Sequence, residues 1–221
     1  MNNTLTATRT GTHSPRTLYF TPRVRRLGRV EYLTAWRGMQ DFTRQRDTHT
    51  QNEIWLLQHS SVYTVGLNGR SEHLPKRADI PVIKTDRGGQ VTYHGPGQLV
   101  IYLLLDLRRL KLGVRPLVRL MERAVVDLLH NYDIGAQNQV DAPGVYVNGA
   151  KIAALGLRII NGCCYHGLAL NVDMDLTPFH AINPCGYPGL QVTQLRDLGI
   201  TESIEQVGNQ LIQKLLGQLK T

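Results

Sequence analysis

Two Asn-Gly pairs constrain this chain more than any other feature. Asn148-Gly149 lies between GVYV and AKIAALGLRI, and Asn161-Gly162 lies between that run and CCYHGLALNV. Both residues of such a pair tolerate positive φ, as a two-residue turn of the primed type requires. Residues 144–172 therefore predict a three-stranded antiparallel meander. Helical patterns stand on either side of it. Leu33, Trp36, Met39 and Phe42 give an amphipathic helix near 31–45, and Leu117, Leu120, Met121, Ala124, Val125 and Leu128 give a second, entered through Pro116. A third, near 203–219, carries Ile204, Val207, Leu211, Leu215 and Leu219 on one stripe. EIWLLQ at 53–58 and LVIYLLL at 99–105 read as buried strands. Helices before and after an antiparallel section predict an α+β fold with a mixed, largely antiparallel sheet flanked by helices, not a doubly wound parallel one.

Composition narrows the class. A chain of 221 residues, 42% hydrophobic and 19% charged, favours one globular domain with a sizeable core. No apolar run approaches the ~18 residues of a membrane span. The N-terminus lacks the apolar core of a secretory signal, so a cytoplasmic protein is expected. Three cysteines, with Cys163 and Cys164 adjacent, make no disulfide framework. Of the net charge of +8, six arginines fall in residues 1–30, which contain no acid. The basic character is thus expected in a tail rather than on a folded face, which argues against nucleic-acid binding. Residues 1–24, rich in Thr, Asn and Arg, read as a disordered extension, with an organelle-targeting peptide as the competing reading, and residues 25–221 as one folded domain.

Three stretches carry candidate chemistry. RGGQVTYHGPGQ at 87–98 holds four glycines in twelve positions, which lets backbone approach a ligand, yet it matches no phosphate-loop pattern. In KIAALGLRI at 151–159, small residues at Ala153, Ala154 and Gly156 leave space over a sheet for a long thin ligand, and Lys151 opens the strand. By itself a lysine there reads as a solvated charge. In NPCGYPG at 183–189, Cys185 stands among turn formers, where a thiol is positioned for attack. Cys163 and Cys164, within a strand, read as packing residues. A zinc site from Cys163, Cys164, His166, His180 and Cys185 has the ligand types but no knuckle or helical spacing, so no metal is expected.

Taken together, RGGQVTYHGPGQ, KIAALGLRI, YHGLALNVDMDL at 165–176 and NPCGY at 183–187 resemble the lipoyl(octanoyl) transferases, in order, from about Leu27 to Gln194. The resemblance implies an α+β domain of the kind found in biotin and lipoate protein ligases. It also implies transfer of an octanoyl group from octanoyl-acyl carrier protein to one lysine of a lipoyl domain. Those acceptors are the lipoyl domains of 2-oxoacid dehydrogenase E2 subunits and the glycine cleavage H protein; no cofactor, nucleic acid or membrane is implied. By motif, Cys185 corresponds to the family's nucleophile and Lys151 to the lysine that activates it. Arg87, Gly88, Gly89, Gln90, Val91, Thr92, Tyr93 and His94 correspond to a substrate-binding loop. Ala154, Leu155, Gly156, Gly167, Leu168 and Ala169 correspond to the acyl pocket, and an apolar wall of Ala153, Ala154, Leu155 and Leu168 is expected along the acyl chain. Some members have serine where this chain has Ala154. The alternative on the same fold is an ATP-dependent lipoate or biotin protein ligase, which does not depend on a loop cysteine. A catalytically dead relative that merely binds lipoyl domains is disfavoured while Cys185 and Lys151 are both present.

Overall fold

The computed structural model describes residues 21–70, 75, 79–139, 142–183 and 189–219. Residues 1–20, most of the expected extension, and Cys185 lie outside the described residues.

The meander forms as the turn chemistry dictates. Strands β8 (Gly144–Val147), β9 (Ala150–Ile160) and β10 (Cys163–Asn171) are joined by the two Asn-Gly turns. All four turn residues have positive φ, between 49° and 83°. The meander extends a seven-stranded sheet whose order is β1-β2-β6-β10-β9-β8-β7. Its other strands are β1 (Arg23–Arg29), β2 (Glu53–Gln58), β6 (Gln98–Asp106) and β7 (Gln137–Asn138). Among the described strands of this sheet β1–β2 pair in parallel and the other neighbours antiparallel, so the sheet is mixed and largely antiparallel. The apolar run LVIYLLL falls in β6, central and buried on both faces, which is why it lacks alternation.

Helices α2 (Val114–His130) and α3 (Ile204–Gln218) cover one face, with Leu117, Met121, Leu128, Val207, Leu211 and Leu215 against Leu99, Ile101, Leu103 and Leu105. Ser203 and Gln206 close a capping box at the start of α3, satisfying amide donors that the first turn leaves unpaired. Helix α1 (Tyr32–Arg44) covers the other face through Ala35 and Met39, packed on Trp55, Leu57, Val100 and Tyr102. Its buried stripe runs through Tyr32, Ala35 and Met39, and Leu33 is turned to solvent, about 100° round the helix from Tyr32. The small sheet β4-β3-β5, built from β3 (Val62–Val65), β4 (Val82–Lys84) and β5 (Val91–His94), stands beside this face. Part of the glycine-rich stretch expected as a loop is therefore strand.

The charge reading needs correction. Arg23, Arg25, Arg26 and Arg29 belong to β1, an edge strand in register with Glu53–Gln58. Arg25 pairs with Glu53 at 3.2 Å, and Arg26 donates to Asn209 at 2.6 Å. Four of the six N-terminal arginines thus sit on folded structure, where charge on an edge also discourages pairing with another sheet.

Candidate active site

Strands β9 and β10 build the floor of a narrow cavity of about 50 Å³. Ala169 is opposite Ala154, and Gly167 is opposite Gly156. With period-two alternation, these four present almost no side chain, while Leu155 and Leu168 turn toward the main core and reach the cavity at its border. Gly167 has a second reason to be glycine. A Cβ there would come within 2.2 Å of the Ile101 carbonyl oxygen, so no side chain fits between β10 and β6. The segment Arg87–Thr92 and His94 lie over this floor, and Tyr32, Val100, Tyr102 and His166 close the sides.

Most of the residues expected at the site meet here: Arg87, Gly89, Gln90, Val91, Thr92, His94, Ala154, Leu155, Gly156, Gly167, Leu168 and Ala169 line the cavity. Three do not. Ala153 faces the main core, because it alternates with Ala154. Tyr93 turns its ring into a separate cluster with Tyr63 and Phe179. Gly88 is a tether, its N–H donating to the Leu157 carbonyl at 2.8 Å and fastening the segment to β9. Arg87 is buried and braces the same segment: it donates to the Thr64 carbonyl at 2.6 Å, to the Thr64 hydroxyl, and to its neighbour's carbonyl at Gly88. Tyr32, Val100, Tyr102 and His166 were missed. Tyr102, a polar tip inside an otherwise apolar run, and His166, inside a quoted motif, were visible signals.

The polar groups around the cavity are held neutral or fully paired. His59 Nδ1 must donate to the Val30 carbonyl at 2.7 Å, so Nε2 accepts from the Tyr102 hydroxyl at 2.6 Å. Burial pushes the His59 imidazole down to about 4, against the pull of the Val30 hydrogen bond. Burial likewise drives His94 well below the ordinary histidine value and Tyr102 well above the ordinary tyrosine value. His166 is lowered by burial despite Asp86, whose carboxylate accepts from it at 2.9 Å. Burial alone would raise the Asp86 carboxyl, but hydrogen bonds from His166, Tyr165 and Gln40 hold it well below the usual carboxylate range. With the lining histidines and tyrosines uncharged and the Arg87 guanidinium engaged by Thr64 and Gly88, the cavity favours an apolar ligand over a phosphate.

Lys151 is not the solvated charge that its sequence context alone indicates. It is 3% exposed, at the start of β9. Its Nζ donates to the Pro143 carbonyl at 3.1 Å and sits 5.1 Å from the Tyr146 ring centroid, a cation–π contact. Gly144 makes room for it: a Cβ there would stand 2.9 Å from Lys151 Cε and 3.1 Å from Nζ. Gly144 is in turn held by Glu122 of α2, which accepts its N–H at 3.1 Å. The Lys151 backbone is stitched to the segment that follows the cysteine motif, its N–H donating to Gln191 at 2.8 Å and its carbonyl accepting from Thr193 at 3.0 Å. Cys163 and Cys164 are buried in β10, and burial pushes the Cys164 thiol up to about 12, far from a reactive thiolate. Among the described residues no group of three or more His, Cys, Asp or Glu is placed to hold a metal ion. No described helix is long and apolar enough to cross a membrane.

The fold alone is shared widely. Lipoate-protein ligase A bound with ATP superposes with a TM-score of 0.75 at 18% identity, covering 90% of this chain and 85% of that one. Biotin protein ligase from Aquifex aeolicus in complex with biotin and ATP gives 0.58 at 13%, covering 90% and 70%. The family model of the lipoyl protein ligase A/B catalytic domain matches residues 31–216. An octanoyltransferase of Nitrosomonas eutropha is 61% identical over 208 residues, 94% of this chain and 92% of that protein. One of Nitrosospira multiformis is 64% identical over 191 residues, 86% of this chain and 89% of that protein. Identity of this order across most of both sequences separates transferase from ligase where the shared fold does not, and the chain belongs to the lipoyl(octanoyl) transferase family.

Proposed function

We propose that the protein transfers an octanoyl group from octanoyl-acyl carrier protein to one lysine of a lipoyl domain, through a thioester on Cys185. The relatives named octanoyltransferase supply the acyl group and the reaction type. The observation that carries the mechanism is the pairing of Lys151 with Gln191 and Thr193, on the chain segment a few residues beyond Cys185. That pairing supports a cysteine–lysine dyad near the start of β9, three residues before Ala154 of the cavity floor.

The chemistry needs neither ATP nor a metal, because the donor thioester is already activated. An ammonium beside a thiol favours the thiolate. The Cys185 thiolate attacks the donor carbonyl; the new C–S bond forms, the old one breaks, and Lys151 gives its proton to the departing thiolate. The acceptor lysine amine then attacks the acyl-enzyme. The C–N bond forms, the Cys185–carbonyl bond breaks, and the neutral Lys151 takes the proton. The Gly89 backbone amide is a candidate for stabilising the oxyanion, the Arg87 and Gly88 N–H groups being taken by Thr85 and Leu157. Acceptors in this reading are lipoyl domains of 2-oxoacid dehydrogenase E2 subunits and the glycine cleavage H protein, and the location is the cytoplasm. Residues beyond the N-terminal extension form the single catalytic unit.

Intact mass after incubation with octanoyl-acyl carrier protein tests the reading: one added octanoyl group, discharged by a lipoyl domain, is the expected result. Formation of an octanoyl-adenylate from labelled ATP and free octanoate would instead place the chain with the ligases.

A further inference from the structure

Four hydrogen bonds run without interruption from the cavity to Lys151. His94 Nδ1 is 2.7 Å from Gln98 Oε1, and Gln98 Nε2 donates to Asn171 Oδ1 at 3.0 Å. Asn171 Nδ2 donates to the Thr193 carbonyl at 2.9 Å, and the Thr193 N–H donates to the Lys151 carbonyl at 3.0 Å. His94, Gln98 and Asn171 are all more than nine-tenths buried. The direction of every bond is forced. A carbonyl can only accept, so the Asn171 atom facing Thr193 is the amide nitrogen, leaving its oxygen for Gln98. Gln98 Nε2 also faces the Tyr93 carbonyl, at 3.3 Å, so its amide nitrogen is fixed a second time. The oxygen left to His94 requires a proton on Nδ1. Nε2 is then a lone pair, with no hydrogen-bond partner among the described residues, on a ring that lines the cavity and stacks on Tyr32 at 12°.

We propose that Gln98 and Asn171 are positioning residues that lock His94 as its Nδ1–H tautomer, so that Nε2 accepts a hydrogen bond from the attacking lysine amine and aims it at the acyl-enzyme carbonyl. The same relay ties that acceptor to the Lys151 backbone, so the two groups the amine meets are registered against each other. This rests on the octanoyl-transfer reading above. His94 holds the amine and takes no proton in this role.

The test combines a spectroscopic and a kinetic readout. Nitrogen-15 NMR of histidine-labelled protein, with the His94 signal assigned by its loss in His94→Ala, is expected to show Nδ1–H near neutral pH. In Gln98→Met the tautomer should become mixed. In single-turnover assays its discharge to a lipoyl domain should fall about tenfold, the worth of one hydrogen bond at the reacting atom, with acyl-enzyme formation nearly unchanged. Asn171→Leu, which breaks the next link, should act in the same direction if Gln98→Met fails to fold. An Nε2–H tautomer in the wild-type protein, unchanged discharge in a folded variant, or equal loss in both half-reactions overturns the relay. A wild-type protein that takes up no octanoyl group defeats the transfer reading and the role of His94 together, whereas one that transfers but shows Nε2–H defeats the relay alone.

Discussion

His59 makes this protein acid-sensitive by an amount that can be worked from its surroundings. It is fully buried between the Val30 carbonyl and the Tyr102 hydroxyl, and burial lowers its folded-state value from the ordinary 6.5 to about 4. Above pH 6.5 the imidazole is neutral in both states and the linkage is silent. As pH falls from 6.5 toward 4, the unfolded chain binds a proton that the folded one refuses, so stability is lost across that window and levels off below it. The loss by pH 4 amounts to about 3 kcal/mol, or about 6–12 °C in melting temperature for a chain of this length. His59→Gln removes the titration. Its melting temperature at pH 7 should be lower than that of the wild type, because two buried hydrogen bonds are disturbed, but its decline between pH 6.5 and 4 should be shallower by that amount. His94 and His166 titrate in both proteins; because the His59 charge also holds His94 down, the difference reports His59 together with its coupling to His94. Parallel melting-temperature profiles for the two proteins from pH 6.5 to 4 would refute the reasoning.

Cys185→Ala should abolish the octanoyl adduct seen by mass spectrometry, while Cys163→Ala and Cys164→Ala keep it, since burial holds the Cys164 thiol protonated. Lys151→Ala should slow alkylation of Cys185 near neutral pH, with the rate recovering as pH rises, because the lost positive charge favoured the thiolate. Lys151→Arg keeps the charge but gives up and regains a proton poorly, so it should leave Cys185 alkylation near the wild-type rate while slowing both half-reactions in single-turnover assays; wild-type rates in both would remove the proton-transfer role. Gly144→Ala brings a methyl to 2.9 Å from Lys151 Cε and 2.8 Å from the Ala153 carbonyl, at a φ of 149°. It should cost about 1–3 kcal/mol by thermal denaturation and slow Cys185 alkylation in the same sense as Lys151→Ala; unchanged alkylation would show that the lysine is not held by this turn.

Much of this molecule is local and therefore legible in one dimension. The Asn-Gly turns require positive φ at adjacent positions, and that requirement alone places β8, β9 and β10 side by side whatever else the chain does. The Gly and Ala positions of β9 and β10 announce a floor without side chains for the same reason: alternation is a property of the strand itself. What is absent from local pattern had to be decided in three dimensions. Leu33 has the spacing of a buried residue, but the stripe that meets the sheet runs through Tyr32, Ala35 and Met39, because the angle at which α1 docks is set by the sheet. The arginines at 23–29 carry the composition of a tail, yet their backbone completes the edge of β2, a pairing with a partner some 30 residues away that no window of sequence contains. Lys151 reads as a surface charge from its neighbours; it is buried because Gly144 leaves space for it and because the Pro143 carbonyl, Tyr146 ring and Gln191–Thr193 segment converge on it from other parts of the chain. Burial and hydrogen-bond direction, the two quantities that turn a lysine or a histidine into a reagent, depend on what surrounds the side chain, and the surroundings exist only once the chain has folded.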